Sequence, residues 1–177
     1  MRHILSLALM LVTALTINAQ INTHIWGLTI GKSTKQQVKN VLLQKGYRYE
    51  KVNNKTNVQA YCISPKDGIY FGGSNWEYVF FNFYKNILYC IGFQNEKYNS
   101  AVDIYSTFDL LKNRLNQKYS SYITNSDYYE IDYNDGETWI WLSIYDDDSS
   151  YDNKFISLEY TNYKIFKIIY NEENDEL

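Results

Sequence analysis

Residues 33–45 read STKQQVKNVLLQK and residues 106–118 read STFDLLKNRLNQK, matching at Ser, Thr, Lys, Asn, Leu, Gln and Lys across an offset of 73 residues. Internal similarity at a fixed spacing points to a duplicated structural unit, so this pair of segments decides how the rest is read. Both are amphipathic helices. In the first, Ser33 or Thr34 caps the start, Val38, Val41, Leu42 and Lys45 fall at i, i+3, i+4 and i+7, and Gly46 supplies the stop. The second runs over about 101–119, with Ile104, Phe108, Leu111, Leu115 and Tyr119 on one stripe and Leu110 beside it. An amphipathic helix must lay its apolar stripe on something.

Working outward, that something is a sheet. Alternating segments recur at 47–52, 58–64, 76–84 and 87–95, then at 122–124, 127–133, 137–145, 154–161 and 164–170. Turn-forming residues separate them: Asn53-Asn54, Lys66-Asp67-Gly68, Gly72-Gly73-Ser74, Lys85-Asn86, Asn134-Asp135-Gly136, 146–153 and Asn162-Tyr163. Connections this tight imply antiparallel pairing, because parallel neighbours need a crossover of a dozen or more residues. A second match lays 78–96 over 155–173 at an offset of 77 residues. The expected fold class is α+β: two tandem repeats, each a helix followed by an antiparallel sheet of four strands. The expected division is a signal peptide over 1–19, a first repeat over 20–99 and a second over 100–177, with separate cores or one shared core both open.

The 177 residues include 19 Tyr, 8 Phe and 4 Trp, and 45% are hydrophobic, ample surface for a packed globule. Lys and Arg number 17 against 20 Asp and Glu. That slight acidity, with no basic cluster, argues against nucleic acid as a partner. At the start, Met1-Arg2-His3 precedes an apolar run from Ile4 to Leu15, with Ile17 and Ala19 at the −3 and −1 places of a signal-peptidase site. The run is too short for a membrane span, which takes ~20 residues. Export to the periplasm or the extracellular space is expected, with a mature chain beginning at Gln20. Cys62 and Cys90 then lie where disulfides are permitted. On the second and fourth strands of a meander they stand ~9.6 Å apart, outside bonding reach. A bond and two buried thiols both stay open.

The entry to the first helix, Trp26-Gly27-Leu28-Thr29-Ile30-Gly31-Lys32-Ser33-Thr34 with Val38 and Leu42, resembles the opening of units in the β-lactamase-inhibitor-protein-like fold. Small outer-membrane assembly lipoproteins share one such unit, and Ser106-Thr107 to Leu115 echo it more weakly. The resemblance implies tandem helix-plus-sheet repeats and a binding role in which an aromatic-rich sheet face meets a partner protein. It departs from the lipoproteins in lacking a cysteine after the apolar run.

Segment 137–145, ETWIWLSIY, sets Trp139, Trp141, Ser143 and Tyr145 on one face and Thr138, Ile140, Leu142 and Ile144 on the other. With the aliphatic set inside, Trp139, Trp141 and Tyr145 form an outward platform, joined by Tyr129 and Tyr133. Large rings with polar tips are enriched at interaction hot spots, and the same rings stack on sugars. The alternative places the rings inside, under some other cover. In the loop 146–153, Asp146, Asp148, Ser150 and Asp152 place oxygens at alternate positions, a weak calcium candidate. Tyr151 stands where an EF-hand loop takes glycine, and a solvated hairpin loop is the simpler expectation. The acidic end, 172–177, reads as a frayed solubilising tail.

Catalytic patterns are thin. His24 is the one histidine after the leader, and no phosphate-cradling loop is present. Glu77, Glu130, Asp132, Glu137 and Glu159 fall on or beside expected strands, where two could pair for glycosidase-type chemistry. The expected function is therefore non-catalytic: an exported protein that binds a protein or a glycan through an aromatic sheet face, with no cofactor. An envelope assembly or structural factor is the first alternative and a carboxylate-dependent hydrolase the second. A hydrophobic groove on the helix side would mark the former, and converging buried carboxylates the latter.

Overall fold

The computed structural model describes residues 20–53, 58–95, 101–146 and 154–175. The expected leader at 1–19, and Asp148, Ser150 and Asp152 of the candidate calcium loop, lie outside them. The chain opens with a small hairpin, β1 (His24–Ile25) and β2 (Leu28–Thr29), followed by α1 (Lys35–Gln44). Next come β3 (Glu50–Asn53), β4 (Val58–Ile63), a second hairpin of β5 (Ile69–Phe71) and β6 (Ser74–Trp76), then β7 (Tyr78–Tyr84) and β8 (Ile87–Asn95). The later part holds α2 (Ala101–Tyr119), β9 (Ile123–Ser126), β10 (Glu130–Asn134), β11 (Thr138–Asp146), β12 (Lys154–Asn162) and α3 (Tyr163–Asp175). Helices packed on antiparallel strands make the fold α+β.

Eight strands form one sheet in the order β3-β4-β7-β8-β12-β11-β10-β9, and every neighbouring pair is antiparallel. The seam at its centre, β8 against β12, joins the earlier strands to the later ones, with Ile156 opposite Asn95 and Thr161 opposite Cys90. Helix α1 starts as its sequence dictates. The Thr34 hydroxyl accepts the Gln37 N–H at 3.3 Å while the Gln37 side chain accepts the Thr34 N–H at 2.8 Å, a reciprocal capping box. Gly46, at φ +76°, ends the helix in a conformation that favours glycine. Val38 and Leu42 are fully buried, as are Ile104, Phe108 and Leu111 on α2.

Both helices pack on the same face of the sheet. Their stripes join Phe81, Phe83, Ile91 and Phe93 of the earlier strands and Ile131, Tyr133, Ile140, Leu142 and Leu158 of the later ones in a single apolar cluster. The β5–β6 hairpin folds over this core face: Phe71 stacks on Phe93 at 4.2 Å, and the Trp76 indole donates to the Phe71 carbonyl at 2.9 Å. Arg114 of α2 pins the hairpin turn by donating to the Gly72 carbonyl at 3.0 Å.

Three sequence expectations are corrected. Residues 164–170 are no strand but the body of α3. Asn162, read as a turn signal, caps that helix by accepting the Ile165 N–H at 2.9 Å, and both central strands already have their two neighbours, leaving no place for a ninth strand there. The offset of 77 residues therefore lays β8 over α3, whereas an offset of 67 carries β8, 87–95, onto β12, 154–162. Nor is the acidic end frayed from 172 onward: Glu172 lies on α3 and accepts from the Tyr84 hydroxyl at 2.6 Å and from Lys85 at 3.2 Å.

Helix α3 lies across one end of the opposite, outer face. Ile169 and Ile165 pack on Val58, Tyr84 and Tyr89, and Phe166 meets Trp139 at 5.1 Å. No disulfide joins Cys62 and Cys90, which β7 separates.

Candidate functional site

On β11 the aliphatic set faces the core: Ile140 and Leu142 are fully buried and Ile144 is 8% exposed. Trp139, Trp141 and Tyr145 consequently stand on the outer face, each half-buried. They belong to a continuous run of rings. Tyr170 and Phe166 of α3 lead to Trp139, which stacks on Trp141 at 5.7 Å; Trp141 meets Tyr145 edge-on at 5.4 Å, and Tyr145 stacks on Phe155 of β12 at 5.1 Å.

Tyr133 and Tyr129 do not join this platform. Tyr133 is opposite Ile140 and so points to the core, where it is fully buried and donates to the Asn116 side chain at 2.8 Å. The Tyr129 carbonyl accepts from the Ile144 N–H, which puts Tyr129 one step further along the same core-side row, with its ring against Tyr105 and Tyr128. Alternation along β10 brings Glu130, Asp132 and Asn134 to the outer face in their stead.

Strand register lines up a row of side chains across that face: Glu50, Cys62, Phe80, Gly92, Glu159, Trp141, Asp132 and Asn125, one from each strand from β3 to β9. The two central strands offer mainly small or polar side chains here: Cys90 and Gly92 on β8, Ser157, Glu159 and Thr161 on β12. Aromatic residues flank this floor, Tyr78 and Phe80 on β7 and the Trp141–Tyr145 series on β11.

Glu159 is the charged group of the floor. It accepts from the Ser157 hydroxyl at 3.3 Å and from the Cys90 thiol at 3.9 Å, and its burial raises its pKa despite those donors. Burial, and then Glu159 itself, push the Cys90 thiol up, so Cys90 stays protonated and unreactive. Burial likewise pushes Tyr145 up to about 12. Asp132 rises to about 6, first through burial and then through Glu130 beside it, with the Trp139 indole N–H opposing the shift.

The Asp132 shift has a testable sign. The folded state holds its proton more tightly than the unfolded chain, so the associated stability is fully present below the ordinary aspartate range and is lost as pH rises through about 6. Glu159 acts in the same direction. Glu137 and Glu172 are held low, by Lys164 and by Tyr84 with Lys85 respectively, but both are solvent-exposed and screened. Asp132→Asn is therefore expected to flatten the loss of stability between pH 4 and 7, read as urea midpoints on both proteins. Parallel pH profiles would refute the burial of Asp132 as its cause.

The remaining sequence candidates disperse. Glu137 pairs with Lys164 at 2.9 Å in an exposed turn, Glu77 sits where β6 passes into β7, and His24 bonds Thr29 at 3.1 Å near the chain start. Among the described residues no group of three or more His, Cys, Asp or Glu side chains is placed to hold a metal ion, and no helix is long and apolar enough to cross a membrane. On the helix side, a cavity of about 240 Å³ lies between α2, the Gly72 turn and β12, lined by Leu111, Leu115 and Leu158 with Arg114 and Lys118. Ligand pockets usually run to ~300–1,000 Å³, so this one is small for an apolar segment. No protein-family model, curated protein or solved structure matches this chain. The site must be read from its own chemistry.

The row Glu159–Trp141–Asp132 carried only a partial sequence signal. Alternation in 137–145 separated the two faces of β11. Which residues of β10 and β12 stand beside Trp141 depends on registers that no local pattern encodes.

Proposed function

We propose that the chain is an exported, non-catalytic binding protein that engages a protein or glycan partner through the outer face of its sheet, centred on Trp139, Trp141 and Tyr145. The observation that carries this is the orientation of β11: its aliphatic side is spent on the core, which leaves two stacked indoles and a tyrosine on the other side. Rigid rings supply contact area at low entropic cost, which suits a binding surface.

A tandem arrangement of the β-lactamase-inhibitor-protein-like kind belongs to the same reading. Its support is that each part supplies a helix and then four sheet strands, and that the 73-residue offset carries the buried pair Val38 and Leu42 onto the buried pair Leu111 and Leu115.

The combined change Trp139→Ala and Trp141→Ala is expected to lower stability by about 2 kcal/mol while unfolding stays cooperative. The same protein should lose the partner that the wild type retains in a pull-down from the native envelope, run with and without calcium. Loss of cooperative unfolding would instead make the indoles structural and remove the proposal.

One observation favours a second reading. Asp132 and Glu159 share a face on strands ~9.6 Å apart, just beyond the ~6.5–9.5 Å that separates the carboxyl groups of inverting glycosidases and close enough for side chains leaning together to reach it. Reducing-end release from soluble glycans that disappears in both Asp132→Asn and Glu159→Gln would favour a hydrolase. No release by the wild type would rule it out for those glycans.

A further inference from the structure

The cavity between α2, the Gly72 turn and β12 lies on the core side of the sheet, away from the Trp139–Trp141 platform. Leu111, Leu115 and Leu158 form its apolar wall, and the charged residues that line it are both cations, Arg114 and Lys118. No Asp or Glu lines it, and among the described residues neither cation has a carboxylate within ion-pair distance. Four positions apart on α2, they stand on one side of the helix, and their exposure makes them a rim. Arg114 is held across the turn by the Gly72 carbonyl, and a Cβ at Gly73 would overlap its guanidinium, so glycine at 73 keeps that place open.

The group that points to a ligand is Tyr160. It is only 8% exposed, and its hydroxyl has no hydrogen-bond partner among the described residues. The two neighbouring tyrosines are engaged: Tyr119 accepts from the Asn22 N–H at 3.5 Å, and Tyr133 donates to the Asn116 side chain at 2.8 Å. The Thr138 and Ser143 hydroxyls are unpartnered but shut in, whereas Tyr160 lines the cavity and its oxygen is reached from there. A buried hydroxyl without a partner destabilises a fold, and phenylalanine at 160 would remove that cost. Burial also keeps the proton on Tyr160, so the group is a donor.

We propose that the cavity binds a small monocarboxylate with a short apolar body, which lies along Leu111, Leu115 and Leu158 while its carboxylate accepts from the Tyr160 hydroxyl and is neutralised by Arg114 and Lys118. At about 240 Å³ the space is small for a protein segment and suits a fragment-sized molecule. The cationic rim and the waiting donor select an acid over an amine or a neutral body. The leucine wall selects an apolar acid over acetate. This site is separate from the outer face and stands whatever that face binds.

The test uses the full chain with carbon-13 labels in its leucine methyl groups, and the probe is 3-phenylpropionate. Its comparators are 3-phenylpropanamide, which keeps the shape without the charge, 3-phenylpropylamine, which reverses the charge, and acetate, which lacks the body. Saturable shifts of the Leu111, Leu115 and Leu158 methyls are expected with the acid, at a Kd of about 1 mM or tighter. Binding should weaken about tenfold with the amide and vanish with the amine and acetate. Tyr160→Phe should weaken binding of the acid about tenfold with no loss of thermal stability, since no described group of the protein bonds that hydroxyl. Lys118→Gln should weaken it about threefold and reduce its dependence on salt. Equal responses to acid and amide would overturn the inference, as would a response to the amine or to acetate that matches the acid. Undiminished binding in either variant overturns it too. A clear fall in stability in Tyr160→Phe would show that the hydroxyl is bonded within the fold, and so remove the donor on which the site depends. Methyl signals that respond to none of the four compounds overturn it outright.

Discussion

Phe93→Ala is expected to cost about 3–5 kcal/mol, a large part of the ~5–15 kcal/mol that stabilises a typical domain. The ring is fully buried on central strand β8 and is the meeting point of separate parts of the chain. Phe71 of the β5–β6 hairpin stacks on it at 4.2 Å, Trp76 approaches at 5.7 Å, and Trp26 of the first hairpin meets it edge-on at 6.1 Å. These neighbours belong to short hairpins that dock on the sheet, so removing the ring leaves a cavity under them as well as a loss of burial. The change should appear as a fall in the urea midpoint with an unchanged denaturant slope. A loss near 1 kcal/mol would mean that the hairpins collapse onto the site and that Phe93 is not their anchor.

Leu42→Ala is expected to cost about 2–5 kcal/mol, because Leu42 and Val38 are the fully buried pair by which α1 reaches the core. The adjacent Leu43, 57% exposed, is the control: Leu43→Ala should change stability by no more than ~0.5 kcal/mol. Both replacements raise helix propensity slightly, so the contrast isolates docking from helix formation. Similar effects at the two positions would show that α1 is not held by the stripe its periodicity defines.

The sequence was most legible where the relevant forces are local. Helix α1 follows from a capping box within four residues, an apolar stripe at helical spacing and a glycine stop. Helix α2 appears at the limits its stripe implied, and the tight turns gave antiparallel strands. The misreading of 164–170 is instructive. Ile165, Phe166, Ile168 and Ile169 have the β-branched and aromatic content of a strand but the i, i+1, i+3, i+4 spacing of a helix, and Asn162 serves equally as a turn former and as a helix cap. The choice fell to the sheet: β12 already has β8 and β11 beside it, so the chain turns onto the outer face and buries Ile169 against Val58, Tyr84 and Tyr89.

The same division holds for the candidate site. Alternation alone determined that Trp139, Trp141 and Tyr145 share a face. Packing of Ile140 and Leu142 against the core decided that this face is the outer one, and strand register sent Tyr133 inside while bringing Asp132 and Glu159 to either side of Trp141. Amphipathic period, caps and turns act between residues a few positions apart and are written in the chain. Register across the β8–β12 seam joins residues more than sixty positions apart, and it is fixed by which side chains fill the common core, a condition that exists only once the whole sheet has assembled.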